Sequence, residues 1–228
     1  MTPQILRPAD FAAEAARFIL GHAHDAIAAR GLFRLALSGG NTPRAVHAEL
    51  VRLGAAHPWN RVQITFGDER CVPPDHADSN FRMARETLLE AVAIPAGNVF
   101  RIRGEIAPTA AAQEYEDKLT AVAARYGEPR YVHDLVLLGL GEDGHTASLF
   151  PGSPALDEAV RNVIPTTGPK PPPQRITMTF PLLNAARHVC FLVTGAGKHA
   201  LVEEIVSGAS DYPAARIHAP AVTWIVGS

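Results

Sequence analysis

The stretch DLVLLGLGEDGHTASLFP, from Asp134 to Pro151, indicates the fold. It begins with an apolar run, Leu135 to Leu138, in which successive side chains of a strand would point to opposite faces of a sheet. A strand that is apolar on both faces is typical of a parallel sheet with helices on either side. A loop with three glycines follows directly. The stretch therefore predicts the α/β class, with a mainly parallel central sheet covered by helices on both faces.

The rest of the chain alternates short apolar runs with longer amphipathic segments, which agrees with this class. Strands are predicted at residues 33–37, 61–66, 133–138, 175–179, 189–194 and 222–226. Helices are predicted at residues 10–30, 43–53, 79–92, 108–126 and 197–206. With 47% hydrophobic and 19% charged residues, the 228-residue chain can bury a full core. We expect residues 1–228 to form one domain.

Charge and hydropathy argue against two classes of partner. A formal net charge of −2 supplies no general field for binding nucleic acid or an anionic membrane surface. The longest apolar run, residues 135–141, is far shorter than the roughly 18 residues of a membrane span. Glu14 and Arg17 interrupt the N-terminal apolar segment, which therefore does not resemble a signal peptide. We expect a cytoplasmic protein, either a monomer or a small homo-oligomer.

The chain has a glycine pattern of the dinucleotide-binding type, but not the other features that a dinucleotide site or a metal site requires. Gly139, Gly141 and Gly144 form a G-x-G-x-x-G pattern, but Pro151 would stop the long helix that a dinucleotide site needs after its glycines. No pair of histidines has the spacing of a zinc-binding helix, and no group of cysteines and histidines has the spacing of metal ligands. The two cysteines, Cys71 and Cys190, are too few for a disulfide framework. The sequence therefore predicts neither a dinucleotide nor a metal.

Two glycine-containing helix starts favour an anion. Between a predicted strand and helix lies LSGGNTP, with Ser38, Gly39 and Gly40 ahead of a predicted helix cap at Thr42 and Pro43 in the first helical position. Backbone amides there can approach a phosphate closely, although an ordinary capped turn explains the same residues equally well. Lys198 opens a later helix and is either solvated or placed to meet the same anion.

Two further loops carry groups suited to acid–base chemistry. Asp68, Glu69 and Arg70 end one strand ahead of Asn80, and a solvated charged loop is the simpler alternative to a ligand site there. His145 lies in the loop after residues 135–138. Histidine is the natural general base near neutral pH, and a nearby carboxylate can orient its ring.

Together these motifs resemble the 6-phosphogluconolactonase family. The resemblance rests on GLGEDGHTASLFP, residues 139–151, supported by Asp68-Glu69-Arg70 and Ser79-Asn80. It implies a fold shared with glucosamine-6-phosphate deaminases and one sugar-phosphate-binding catalytic domain without a cofactor. It also implies hydrolysis of 6-phospho-D-glucono-1,5-lactone to 6-phospho-D-gluconate in the pentose phosphate pathway. Asn41 departs from the serine common in the family loop, although asparagine also suits turn geometry.

The resemblance also suggests roles for individual residues. His145 would activate water, with Asp143 or Asp68 orienting its ring. Arg70 would either stabilise the oxyanion or bind phosphate. The predicted substrate-binding and phosphate-binding residues are Ser38, Gly39, Gly40, Thr42, Asn80, Lys198 and Arg175.

Two alternatives remain at this point. One is a glucosamine-6-phosphate deaminase or sugar-phosphate isomerase of the same fold, where a tyrosine usually follows the Asp-Glu pair instead of Arg70. The other is a non-catalytic sugar-phosphate sensor, although the single helix predicted before the first strand leaves no room for a helix-turn-helix. The proline-rich segment 166–174 excludes helix and central strand and is expected to be a surface loop.

Overall fold

The computed structural model of the chain describes residues 3–228. Within that range the central sheet has six strands, and every neighbouring pair runs parallel. Numbered along the whole chain, these strands are β1 (Gln4–Leu6), β2 (Phe33–Leu37), β3 (Val62–Phe66), β5 (Leu135–Leu138), β8 (Val189–Val193) and β9 (Val222–Val226). Their order across the sheet is β1-β9-β8-β5-β2-β3.

Helices pack against this sheet. Every residue of β2, β3, β5 and β8 is buried, which requires cover on both faces of the sheet. The helices of the described chain are α1 (Phe11–Arg30), α2 (Asn41–Leu53), α3 (Asn80–Ala84), α4 (Pro108–Arg125), α5 (Phe180–Leu183) and α6 (His199–Val206). The predicted α/β class with a mainly parallel sheet is confirmed.

The first helix shows how local sequence sets an element's ends. The Asp10 side chain accepts a hydrogen bond from Ala13 N at 3.1 Å and so satisfies one free donor of the first turn. At the other end Gly31 adopts a φ of 78° and closes the helix. The boundaries predicted for this helix, 10–30, therefore agree with the structure to within one residue.

A second sheet was not predicted from the sequence. Three antiparallel strands, β4 (Asp68–Arg70), β6 (Val163–Thr167) and β7 (Gln174–Met178), lie in the order β4-β7-β6. β4 is short and fully charged, and β6 contains Pro165, which is tolerated because β6 is an edge strand. The strand predicted at 175–179 belongs to this small sheet.

Two other expectations need correction. The helix predicted at 79–92 is α3 followed by a wider π-helical turn over Arg85–Leu89, so regular α-helix ends early. In the proline-rich segment, only residues 168–173 form a loop, because β6 extends to Thr167 and β7 begins at Gln174. That loop joins the two strands of a hairpin.

The parallel sheet brings the predicted motifs to one edge. β2, β3, β5 and β8 end at Leu37, Phe66, Leu138 and Val193, and their carboxyl ends point the same way. The loops that begin at residues 38, 67, 139 and 194 therefore meet where open α/β sheets bind ligands.

Candidate active site

A histidine and an aspartate form the centre of the site. His145 Nδ1 lies 2.5 Å from Asp143 Oδ1, and His145 N donates to the same oxygen at 3.3 Å. Gly141 makes this pairing possible, since a Cβ there would lie 2.6 Å from Asp143 Oδ1 and would overlap the imidazole. Gly144 has a φ of 74°, and a Cβ there would strike the Tyr212 ring. The two glycines thus allow the loop to fold tightly around the histidine.

The electrostatics of the pair fix which histidine nitrogen is available. Burial alone would raise the pKa of Asp143, but hydrogen bonds and the charge of His145 outweigh it and hold that pKa below its usual range. An ionised carboxylate only accepts, so in the neutral imidazole Nδ1 carries the proton and Nε2 keeps its lone pair. The His145 side chain is 31% exposed and packs on the Phe150 ring, with centroids 4.5 Å apart. His145 Nε2 is therefore the basic atom of the pair.

The first glycine loop starts α2 differently from the prediction. Thr42 was expected to cap the helix and Pro43 to occupy its first position, but α2 begins at Asn41 and its cap is Gly40. Gly40 has a φ of 98° and a ψ of −173°, a conformation that an L side chain rarely adopts. The Thr42 hydroxyl lies instead 2.7 Å from the Thr194 hydroxyl, which joins this loop to the loop after β8.

The same loop packs closely against the residue that starts α3. A Cβ at Gly39 would lie 2.8 Å from Asn80 Nδ2 and would overlap the rest of that amide. Within residues 3–228 the buried Ser38 hydroxyl has no hydrogen-bond partner, so it is available to a ligand. Lys198 Nζ donates to the Leu140 carbonyl at 2.6 Å, which places the ammonium between the loops after β5 and β8.

Glu69 is a buried residue whose role the sequence did not reveal. Its carboxylate accepts hydrogen bonds from Asn80 N at 2.7 Å, Phe81 N at 2.8 Å, Arg70 N at 2.8 Å and Ser79 Oγ at 3.1 Å. Burial raises its pKa, and the backbone hydrogen bonds oppose that rise. Glu69 therefore links β4 to the start of α3 and fixes the backbone of its chain neighbours, Asp68 and Arg70, in the site.

Asp68 lies beside this link but does not reach the histidine. Its Oδ2 accepts from Ser148 Oγ at 2.5 Å and its Oδ1 from Asn80 Nδ2 at 3.1 Å. Of the two aspartates predicted to orient His145, Asp143 makes the contact, and Asp68 makes no hydrogen bond to that ring.

Two arginines face each other across the small sheet. Arg70 and Arg175 are register partners on β4 and β7, where like charges repel. Arg70 Nη1 donates to the Asp78 carbonyl at 2.6 Å, and Arg175 Nε donates to the Pro172 carbonyl at 2.8 Å. In the described part of the chain neither arginine pairs with a carboxylate. Burial, together with the charge of Arg70, lowers the pKa of Arg175. Such unneutralised cations favour an anionic ligand.

All of the predicted site residues line two adjoining cavities. The first, of about 270 Å³, is lined by Ser38, Gly39, Gly40, Thr42, Asp68, Arg70, Asn80, His145 and Lys198 among others. The second, of about 440 Å³, shares Asp68, Arg70 and His145 and adds Asp143, Lys170 and Arg175. Among residues 3–228, no cluster of three or more histidine, cysteine or acidic side chains is arranged to hold a metal ion.

Ala147 and Lys170 line the cavities, although no sequence pattern marked them as site residues. Ala147 lines both cavities with a φ of 49°, and nothing in the sequence marks an alanine for the left-handed region. Lys170 lies in the proline-rich hairpin loop, where its carbonyl accepts from Arg175 Nη2 at 3.3 Å. Its position over the second cavity follows from the antiparallel sheet that was not predicted.

Comparison with known proteins decides the family. Residues 7–225 match the family model described as glucosamine-6-phosphate isomerases/6-phosphogluconolactonase. The chain belongs to this family. A relative from Synechocystis sp., named 6-phosphogluconolactonase, is 46% identical over 193 residues, which cover 83% of this chain and 79% of the relative. A rice relative named "Probable 6-phosphogluconolactonase 3, chloroplastic" is 43% identical over 80% of this chain, and the match spans 58% of the rice protein's length.

Solved structures of the family have the same architecture. The crystal structure of 6-phosphogluconolactonase from Thermotoga maritima matches with a TM-score of 0.89 and 29% identity, over 99% of this chain and 100% of that one. A monomeric glucosamine-6-phosphate deaminase matches with a TM-score of 0.79 at 19% identity, a likeness of fold alone. The expected fold relationship to the deaminases is confirmed. No helix within residues 3–228 is long and apolar enough to cross a membrane.

Proposed function

We propose that this chain hydrolyses 6-phospho-D-glucono-1,5-lactone to 6-phospho-D-gluconate. The observation that carries the proposal is the His145–Asp143 pair, whose 2.5 Å contact leaves the basic Nε2 free at a cavity with cationic and glycine-rich walls. Relatives with 46% and 43% identity are named as lactonases of this substrate class. A base beside an anion-binding wall is what a phosphorylated lactone requires.

The phosphate binds where the first glycine loop meets Lys198. The N-terminus of α2, the unpartnered Ser38 hydroxyl and the Lys198 ammonium all line the smaller cavity. Free backbone N–H groups and the dipole of a 13-residue helix favour an anion. The hydroxyl contact between Thr42 and Thr194 holds the two loops at one spacing.

The reaction then proceeds by attack of water on the lactone carbonyl. His145 Nε2 takes a proton from water as the water oxygen bonds to the carbonyl carbon, and the carbonyl oxygen becomes an oxyanion. The bond from that carbon to the ring oxygen then breaks. The imidazolium returns the proton to the leaving ring oxygen, so the products are a hydroxyl group and a carboxylic acid, and the acid then releases its proton to solvent and becomes a carboxylate. Asp143 stabilises the imidazolium between the two steps.

Arg70 stabilises the oxyanion. It lines both cavities together with His145, and its buried Nε has no hydrogen-bond partner within the described chain. A planar guanidinium with a free donor suits the negative charge that forms during attack. Lys170 and Arg175 add positive charge on the same side, where the product carboxylate appears.

The rival functions have less support. A deaminase would not require Arg70 after the Asp-Glu pair, and the deaminase structure resembles this chain at 19% identity only. A sensor would not need a histidine with a free basic nitrogen. The single catalytic domain, the lack of a cofactor, the cytoplasmic location and the oligomeric state stay predictions.

His145→Ala tests the function. We expect hydrolysis of the phosphorylated lactone to fall by about 10²–10⁴, the usual contribution of a general base, while 6-phosphogluconate still binds. Rates are corrected for spontaneous ring opening, and product binding is measured by calorimetry. A near-wild-type rate would remove His145 from the mechanism, and an inactive wild-type protein would refute the function itself.

A further inference from the structure

Asp68 is a buried carboxylate in the wall between the two cavities. It is 7% exposed and lines both cavities together with His145 and Arg70. Among residues 3–228 it forms no ion pair. A buried acid without a cation needs hydrogen bonds in its place, and its position at the wall lets a ligand supply some of them.

Two side chains hold Asp68 in one orientation. Ser148 Oγ donates to Oδ2 at 2.5 Å, and Asn80 Nδ2 donates to Oδ1 at 3.1 Å. Ser148 is itself fixed, because its N–H donates to Thr177 Oγ1 at 3.2 Å. Thr177 is the register partner of Asp68 on the neighbouring strand. The carboxylate is thus held from the histidine loop, from α3 and through β7.

Counting lone pairs shows what Asp68 can still accept. A carboxylate accepts about four hydrogen bonds, two on each oxygen. The two side-chain donors use one position on each oxygen and leave one on each for another donor. A phosphate would be repelled there, whereas a neutral hydroxyl can donate.

The surrounding charges agree with this division of the site. Lys198 lines the smaller cavity, Arg175 lines the larger one and Arg70 lines both, so each cavity attracts the negative groups of a ligand to its cations. The ring carbons of the lactone, which carry neutral hydroxyl groups, are then left opposite Asp68.

We propose that Asp68 recognises a ring hydroxyl of the substrate and determines specificity among sugar lactones, and that Ser148 is the positioning residue that orients it. The inference rests on the proposed function and assigns Asp68 a task separate from proton transfer. Asp143 already orients the imidazole, so a second aspartate is not needed for that step.

The test uses the phosphorylated gluconolactone and its 2-, 3- and 4-deoxy analogues. A site that forms a hydrogen bond with a substrate hydroxyl rejects an analogue that lacks this group, because a buried polar group then stays unpaired. Here two protein donors already satisfy part of the carboxylate, so the penalty is smaller. We therefore expect kcat/KM of the wild-type protein to fall about 100-fold for one deoxy analogue and less for the other two.

In Asp68→Asn, we expect kcat/KM for the same deoxy analogue to be less than about tenfold below that for the natural lactone. The amide oxygen can still accept from Asn80, and the amide N–H can donate to the Ser148 oxygen, so the variant retains both local contacts. The pH profile of kcat should stay as in the wild type, because the base is His145.

Ser148→Ala keeps the Asp68 carboxylate but removes the hydrogen bond to its Oδ2. The variant should discriminate about fivefold less between the natural lactone and the affected deoxy analogue, mainly through KM. Ser153→Ala removes a serine from the same loop, where Ser153 Oγ lies 3.3 Å from Thr166 Oγ1, and should leave discrimination unchanged. An unchanged profile in Ser148→Ala would overturn the positioning role. This variant also tests the inference if Asp68→Asn does not fold.

A binding experiment distinguishes a failure of this inference from a failure of the proposed function. Calorimetry of 6-phosphogluconate and its deoxy analogues measures hydroxyl recognition without turnover. If the wild-type protein is inactive but Asp68→Asn loses discrimination in binding, the function fails and the recognition role stands. If Asp68→Asn lowers kcat equally for all analogues or displaces its pH profile, Asp68 takes part in proton transfer and the inference is wrong.

Discussion

Asp143→Asn removes the negative charge from the histidine–aspartate pair while keeping the size of the side chain. In the native protein, hydrogen bonds and the charge of His145 overcome burial and lower the pKa of Asp143, so it is ionised at neutral pH. A hydrogen bond to a charged group contributes about 1.5–3 kcal/mol, against about 0.5–1.5 for a neutral one. The difference, about 1–1.5 kcal/mol, corresponds to roughly tenfold in rate.

The size of the rate loss in Asp143→Asn depends on solvent exposure of the side chain and on the tautomer of His145. The Asp143 side chain is 46% exposed, so screening keeps the electrostatic part near tenfold. If the new amide donates its N–H to Nδ1, the proton moves to Nε2 and the base is lost, which costs up to about 10⁴ in related triads. We therefore expect kcat to fall at least about tenfold, with little change in KM.

The assay follows kcat against pH after subtraction of spontaneous lactone opening. Glu142→Gln is the matched control, since it removes a neighbouring negative charge that lines the second cavity. A kcat within threefold of wild type across that pH range would refute the assigned role of Asp143.

Three further predictions follow from the site. Lys198→Ala should reduce the ratio of kcat/KM for phosphorylated over unphosphorylated gluconolactone by at least about tenfold, because one charge-assisted hydrogen bond contributes about 1.5–3 kcal/mol. An unchanged ratio would contradict the assignment of Lys198 to the phosphate. Glu69→Gln should lower the free energy of unfolding, measured by urea titration, by about 1–3 kcal/mol, because an amide N–H would then face the backbone donors of α3. A loss below about 0.5 kcal/mol would count against the link that Glu69 forms between β4 and α3. Exhaustive chelation should leave the activity unchanged, since the described residues offer no metal-binding cluster, whereas inactivation that one divalent ion reverses would overturn a metal-free mechanism.

The main sheet and most of the site could be predicted because both depend on local patterns. Apolar runs such as 135–138 identify buried parallel strands, and loops that follow parallel strands share one edge. The site residues therefore lie together whatever their distance along the chain. His145 and Asp143 are only two residues apart, so their contact is also local.

The features that sequence analysis missed depend on contacts between distant segments. β4 is three charged residues long and becomes a strand because it pairs with β7, more than 100 residues away. Glu69 is buried because four donors from its own and the next element surround its carboxylate. The cap predicted at Thr42 was wrong because Gly40 takes the unusual backbone angles, which frees the threonine hydroxyl to contact Thr194.

The two glycines at the start of the histidine loop differ in how far they can vary in a mutagenesis library. Every substitution of Gly141 adds a Cβ that overlaps the imidazole, so all nineteen alternatives should be inactive and the codon is best kept fixed. A Cβ at Gly139, in contrast, would meet no atom of residues 3–228 within 4 Å beyond its own residue and its two chain neighbours, although the residue lines the smaller cavity. Gly139 is therefore the position in this loop where laboratory evolution can add side chains and select for new lactone substrates while the histidine–aspartate pair stays intact.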